Sequence, residues 1–394
     1  MQRAKDKIAI GVLFSTTGPY ATLGREGYDG AMTAISEINE SGAYPFGFLA
    51  EIRDPAGNTE AYASLCRDMI EASDPEFVVG CTTSWSRKET IPILERTGTH
   101  LWYPCPYEGF EGNDHVVYMG ACPNQHVVPL LDYILPRYGR NPALVGSNYI
   151  WGWETNRVAR KLVERAGGAV KAERFVRLGD TDIAYIVDEI RQKRPDFVFN
   201  TLIGPSSHAF VDAYHALGRA DASFAPEKRP IVSCNWTEDE IAALGVRAAG
   251  HYSTAPYFQS LATPANADLL ATTARFAGHR QHISAFFVQA YTAVHVIARG
   301  IAATGEARAD AVLAHGKSET FSSPLGPLRI HAETNHAILT PHIGRAMAEG
   351  GFEIVSTAAA PIIPDPYLFD LDHSAAPAIT DKNGTPVPYL RLIK

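Results

Sequence analysis

Paired cysteines, blocks of like charge and nucleotide-binding glycines are all missing from this sequence. Its five cysteines, Cys66, Cys81, Cys105, Cys122 and Cys234, are odd in number and show neither CxxC nor Cys/His zinc spacing. Reduced thiols and a cytoplasmic location are therefore expected, with a periplasmic location as the alternative if a leader has been removed. Lysine and arginine number 35 against 43 acidic residues, a net charge of −8 with no run of one sign. That balance excludes a polybasic nucleic-acid surface.

Enzyme signatures are missing too. Gly24, Gly27 and Gly30 lack the paired glycines through which a backbone approaches a pyrophosphate. Gly316-Lys317-Ser318 ends like a phosphate loop, but Ala311 stands where its upstream glycine belongs, so a helix C-terminus is the better reading. No GxSxG, HExxH or SxxK occurs, and no catalytic residue, metal or cofactor is assigned. His331, His336 and His342 read as surface residues rather than metal ligands. Cys105, between Pro104 and Pro106, has no assignable base and reads as a buried, inert thiol. No apolar run approaches the ~18 residues needed to cross a bilayer, and Ile8–Phe14 is too short for a secretory segment, so a soluble chain is expected.

Hydrophobic residues make up 46% of the 394, enough for two or three cores. Short, continuously apolar segments alternate with helical patterns, as a parallel sheet covered on both faces requires. A first series has strands at 8–14, 48–53, 77–80 and 100–103, with helices ending at Gly42 and spanning 86–97. A second has helices at 125–138, 153–167, 182–193 and 206–217 between strands at 143–146, 171–177, 197–200 and 230–233. Residues 264–304 read as two helices, 323–330 as a turn into a strand, and the proline-rich 359–394 as a surface-wrapping tail.

In open α/β sheets, ligands bind beyond the carboxyl ends of strands. Three such ends share short hydroxyls and large rings: Cys81-Thr82-Thr83-Ser84-Trp85-Ser86, Tyr103-Pro104-Cys105-Pro106-Tyr107, and Ser147-Asn148-Tyr149-Ile150-Trp151. Such a lining suits a small polar molecule better than a nucleotide or polymer.

The stretch Val79-Gly80-Cys81 to Ser84, Arg87-Lys88, the run Pro106-Tyr107-Glu108-Gly109-Phe110-Glu111, and Gly146-Ser147-x-Tyr149-Ile150 resemble the amide- and urea-binding subgroup of type I periplasmic-binding-protein-like proteins. That subgroup includes regulators of aliphatic amidase expression. The resemblance extends from Ile10–Ser15 to Pro364–Tyr367. It implies two Rossmann-like α/β lobes, 1–123 with 257–332 and 124–256 with 333–394, joined by three hinge crossings around a ligand cleft. Ser84 would hold an amide oxygen; Tyr103, Tyr149 and the backbone near Cys105 and Pro106 would hold its nitrogen and close the cavity. Thr82, Cys105 and Trp151 stand where the subgroup pattern has tyrosine, threonine and tyrosine, and Asn235 and Trp236 are expected to face the cleft. The function implied is a short-amide sensor acting through an antitermination regulator. The alternative is the substrate-binding component of an ABC importer for urea or short amides, with a permease as partner. Self-association through the first lobe is also implied.

Overall fold

A computed structural model describes residues 6–368 and 379–381. The chain forms two compact α/β units, as the sequence patterning requires. The first draws on Met1–Tyr107, Glu111–Ala121 and Ala262–Leu339, the second on Glu108–Phe110, Cys122–Leu261 and Thr340–Lys394.

The first unit is built on five parallel strands in the spatial order Phe46–Arg53, Asp6–Leu13, Phe77–Gly80, His100–Tyr103, Val116–Tyr118. Every side chain of Phe77–Gly80 and His100–Tyr103 is buried, which is why these segments are apolar throughout rather than alternating. Helix Ala21–Ser41 stops at Gly42, whose φ of 70° is left-handed. It packs along helix Ala285–Thr304. That second helix corrects the expectation that no segment is long and apolar enough to span a bilayer. Its most apolar window is 83% buried in the unit, so its hydrophobicity belongs to a core. Gly316-Lys317-Ser318 closes helix Ala309–Ser318, and Phe321–Ser323, Gly326–Ile330 and Ala337–Ile338 form a small antiparallel sheet.

The second unit holds a mixed eight-stranded sheet rather than a purely parallel one. Its order is Ile379–Asp381, Phe352–Ala358, His342–Ala346, Tyr252–Ala255, Ile231–Ser233, Val198–Thr201, Ala143–Ser147, Ala172–Val176. The last five strands are parallel; His342–Ala346 pairs antiparallel with Tyr252–Ala255, and Phe352–Ala358 and Ile379–Asp381 follow, each antiparallel to its neighbour. Of the tail expected over 359–394, residues 369–378 and 382–394 lie outside the described residues. His336 and His342 are buried, not superficial. His336 shares a proton-ordered chain with Tyr107: its Nδ1 lies 2.5 Å from the Thr334 carbonyl, which leaves Nε2 to accept from the Tyr107 hydroxyl at 2.6 Å.

One buried charge organises the first unit. Arg87, in helix Ser84–Thr97, is 0% exposed. It donates through Nε and Nη2 to the two carboxylate oxygens of Glu111 at 2.6 and 3.1 Å. Lys88 also binds Glu111, and the Tyr118 hydroxyl donates to it at 2.9 Å. The guanidinium carbon lies 4.6, 4.7 and 5.7 Å from the ring centroids of Tyr103, Tyr107 and Tyr118. Burial alone would raise the Glu111 carboxyl, but the charge and hydrogen bonds of Arg87, then of Lys88, hold it down at about 2.

A carboxyl depressed in this way contributes stability that is complete above its unfolded-state value near 4.5 and is lost as pH falls toward about 2. Glu111→Gln is expected to cost about 3 kcal/mol at neutral pH, because it strands the Arg87 charge. Urea unfolding across pH should show a flatter decline for the variant than for wild type between pH 4.5 and 2. Parallel declines would refute the ion pair's role.

Candidate functional site

In the first unit the strand order reverses direction between Asp6–Leu13 and Phe77–Gly80, and the crevice beyond their carboxyl ends is where such sheets take ligands. A line of hydroxyls crosses it. The Gly57 N–H donates to Ser15 Oγ at 2.9 Å, Ser15 Oγ lies 2.8 Å from the Tyr62 hydroxyl, and that hydroxyl lies 3.2 Å from Thr82 Oγ1. Thr82 is thus committed to a buried network. Ser15, just beyond strand Asp6–Leu13, and Tyr62, in the first turn of helix Ala61–Ser73, are residues that sequence reasoning missed.

Cys81 has a φ of 66° and donates its N–H to the Leu13 carbonyl at 2.8 Å, which turns the chain sharply out of the strand. Thr83 then caps helix Ser84–Thr97: its side chain accepts from the Ser86 N–H at 3.1 Å while Ser86 Oγ accepts from the Thr83 N–H at 2.9 Å. Ser84, 2% exposed, is therefore the first residue of a 14-residue helix, at the positive end of its dipole.

The neighbouring strand end is tied to this one. The Cys105 thiol donates to the Cys81 carbonyl at 3.5 Å, and the Tyr103 carbonyl accepts from the Met119 and Gly120 N–H groups at 2.8 and 3.2 Å. Any side chain at Gly120 would strike the Cys105 carbonyl. Tyr103 lies flat against Arg87, one turn along the helix from Ser84. Thr82, Ser84, Tyr103 and Cys105 therefore sit on two adjacent, interlocked strand ends, with Pro106 half-buried beside them. Burial pushes the Cys105 thiol far above its ordinary range, which favours its protonated form.

The second unit has its own reversal of strand order, between Ala143–Ser147 and Val198–Thr201. Ser147 Oγ accepts from the Ile203 N–H at 3.1 Å and joins the two strand ends. Tyr149 occupies the N-cap position of helix Ile150–Arg165, and Trp151 lies in its first turn. Both are buried, with ring centroids 6.5 Å apart. The Trp151 indole Nε1 has no hydrogen-bond partner among the described residues. Asn235 accepts from Ser233 Oγ at 2.7 Å and donates to the Leu202 carbonyl at 3.3 Å. Trp236 is placed differently from its neighbour. It belongs to the core of the second unit, and its indole N–H donates to Ser207 Oγ at 3.2 Å.

The run 106–111, singled out for its resemblance, is occupied within each unit. In the first, Tyr107 serves His336 and Glu111 serves Arg87. In the second, Gly109 has a φ of 80° and no room for a side chain beside the Pro366 carbonyl, and Phe110 lies under the Arg157 guanidinium at 4.6 Å.

The profile of the periplasmic binding protein domain family matches residues 8–372. The leucine-, isoleucine-, valine-, threonine- and alanine-binding protein of Pseudomonas aeruginosa is 26% identical over 333 residues, covering 82% of this chain and 86% of its own. Two solved structures share the fold. A solute-binding protein of an ABC transporter from R. palustris, in complex with 4-hydroxybenzoate, superposes with a TM-score of 0.80 at 22% identity, over 91% of this chain and 98% of that one. The branched-chain amino acid transporter substrate-binding protein LivJ of Streptococcus pneumoniae, in complex with isoleucine, gives 0.75 at 18% identity, over 89% and 99%.

These findings overturn the expectation of a cytoplasmic location, since the matching family is one of periplasmic binding proteins. The odd thiol count misled for a physical reason. All five cysteines are buried and unpaired, and burial raises Cys66 and Cys81 to about 12, so they stay protonated and shielded whatever the compartment. With two α/β units and a family match across most of its length, the chain belongs to the periplasmic binding protein family.

Proposed function

We propose that this protein is the substrate-binding component of an ABC-type importer and that its ligand is a short, neutral carboxamide or urea-like solute. The relatives named above support the transport role, with a membrane permease as the partner. The observation that carries the ligand class is the absence of charged side chains among the residues expected to contact the ligand. Thr82, Ser84, Tyr103, Cys105, Tyr149, Trp151 and Asn235 offer hydroxyls, a thiol, rings and an amide, and Arg87, which lies against Tyr103, is neutralised by Glu111. An α-amino acid brings an ammonium group that needs a carboxylate. A carboxamide needs only donors for its oxygen and acceptors for its N–H groups.

In this reading the Ser84 hydroxyl and the positive end of its helix hold the amide oxygen. Tyr103, Tyr149 and the backbone near Cys105 receive the nitrogen. Trp151 limits the size of the ligand, and its uncommitted indole N–H adds a donor. The second reading, an amide sensor that releases an antitermination regulator, rests on the sequence resemblance, and its most specific stretch, 106–111, has structural tasks within each unit.

Isothermal titration with acetamide, propionamide and urea, beside L-leucine and 4-hydroxybenzoate, tests the ligand class. Amide binding is expected, and Ser84→Ala should weaken it by about 1–3 kcal/mol through loss of a buried hydrogen bond. An absence of amide heat, with Ser84→Ala weakening leucine or 4-hydroxybenzoate binding instead, would reverse the assignment. Trp151→Ala should shift preference toward bulkier amides. An unaltered acetamide-to-propionamide order would remove Trp151 from the binding set.

A further inference from the structure

The first unit also contains a cavity of about 250 Å3 that uses none of the strand-end residues. Helix Pro264–Phe276 lines it with Ala265, Asp268, Leu269 and Thr272, at i, i+3, i+4 and i+7. Helix Ala285–Thr304 lines it with Thr292, His295, Val296 and Arg299, at the same spacing. Stripes of this kind on packed helices are ordinarily apolar. Here each stripe carries one full charge, one hydroxyl and an aliphatic surface.

Some of the cavity's polar groups are already satisfied. Glu37 accepts from the Tyr291 hydroxyl at 2.5 Å and lies 3.1 Å from His295 Nε2. Others are not. Arg299 gives one N–H to the Ser322 carbonyl at 3.1 Å and lies 5.9 Å from the Phe321 ring centroid, which leaves most of its five donors uncommitted. Asp268, on the exposed side of its helix, makes no hydrogen bond or ion pair among the described residues. Asp268 and Arg299, of opposite charge, line the same cavity from the two helices. Thr292 is 2% exposed, and its hydroxyl has no partner among the described residues. A helical threonine ordinarily returns that hydroxyl to the i−4 carbonyl.

We infer that this cavity is a second binding site, for a small zwitterionic α-amino acid, with the carboxylate on Arg299 and Thr292 and the ammonium on Asp268. Leu269, Val296 and the Phe321 ring take a short aliphatic side chain. A neutral amide uses neither charge, and a simple carboxylate leaves Asp268 facing a like charge.

Titration of the intact chain with L-valine and L-leucine, beside isovalerate and isoamylamine, tests this directly, because each control carries only one of the two charges. The amino acids are expected to bind more tightly than either control. Their affinity should fall by at least about tenfold in Arg299→Gln and in Asp268→Asn, while propionamide binding is unchanged in both variants and amino-acid binding is intact in Ser84→Ala. No amino-acid heat at about 10 mM would overturn the inference. So would an affinity indifferent to both cavity variants, or one lost in Ser84→Ala, which would put the amino acid at the strand ends. Failure of propionamide to bind, with amino-acid binding still sensitive to Asp268→Asn, would contradict the proposed amide ligand and leave this second site standing.

Discussion

A guanidinium with no access to water has to be neutralised where it lies, and that requirement fixes the geometry of the first unit. Arg87 is enclosed by Glu111 and three tyrosine rings. Leaving such a charge unpaired costs several kcal/mol. Because Arg87 rides on the helix that Ser84 begins, and Tyr103 and Glu111 bracket the following strand-end loop, the ion pair locks two candidate ligand-binding elements into one frame. The Tyr107, Tyr118 and His336 rings extend that frame, with Tyr118 and His336 stacked at 4.2 Å. Rigid support of this kind is what a few hydrogen-bonding groups need if they are to select a small ligand.

The same frame separates residues that hold the fold from residues available to a solute. Glu111, Tyr107, Gly109 and Phe110 belong to the first group, although their run drew notice as a signature. Thr82 is partly committed through Tyr62 and Ser15. Trp151 keeps an indole N–H without a partner among the described residues, and the proposed reading assigns it to the second group.

Much of the fold was legible because central parallel strands are apolar at every position. Phe77–Gly80 and His100–Tyr103 were placed at their true bounds, and Gly42 was identified as a helix stop. Tyr252–Ala255 and His342–Ala346 were not found. Their Tyr-Ser-Thr-Ala and His-Ile-Gly-Arg-Ala sequences have no apolar run, and antiparallel pairing with each other makes them strands. Strand-end residues that follow apolar runs, such as Ser84 and Tyr149, were visible for the same reason as the strands. Tyr62 was hidden because its hydroxyl meets Ser15 across 47 positions and Thr82 across 20. His336 was misplaced because an isolated polar residue carries no local sign of burial. The paired polar stripes of Pro264–Phe276 and Ala285–Thr304 emerged only once the two helices could be set beside a common cavity.

The most direct measurement is a crystal structure of the protein grown in saturating propionamide. The account predicts density for one amide at the strand ends of the first unit, with its oxygen at the Ser84 hydroxyl and helix N-terminus and its nitrogen toward Tyr103. Strand ends holding only water at saturation, or an amide lodged elsewhere with Ser84 and Tyr103 untouched, would contradict it.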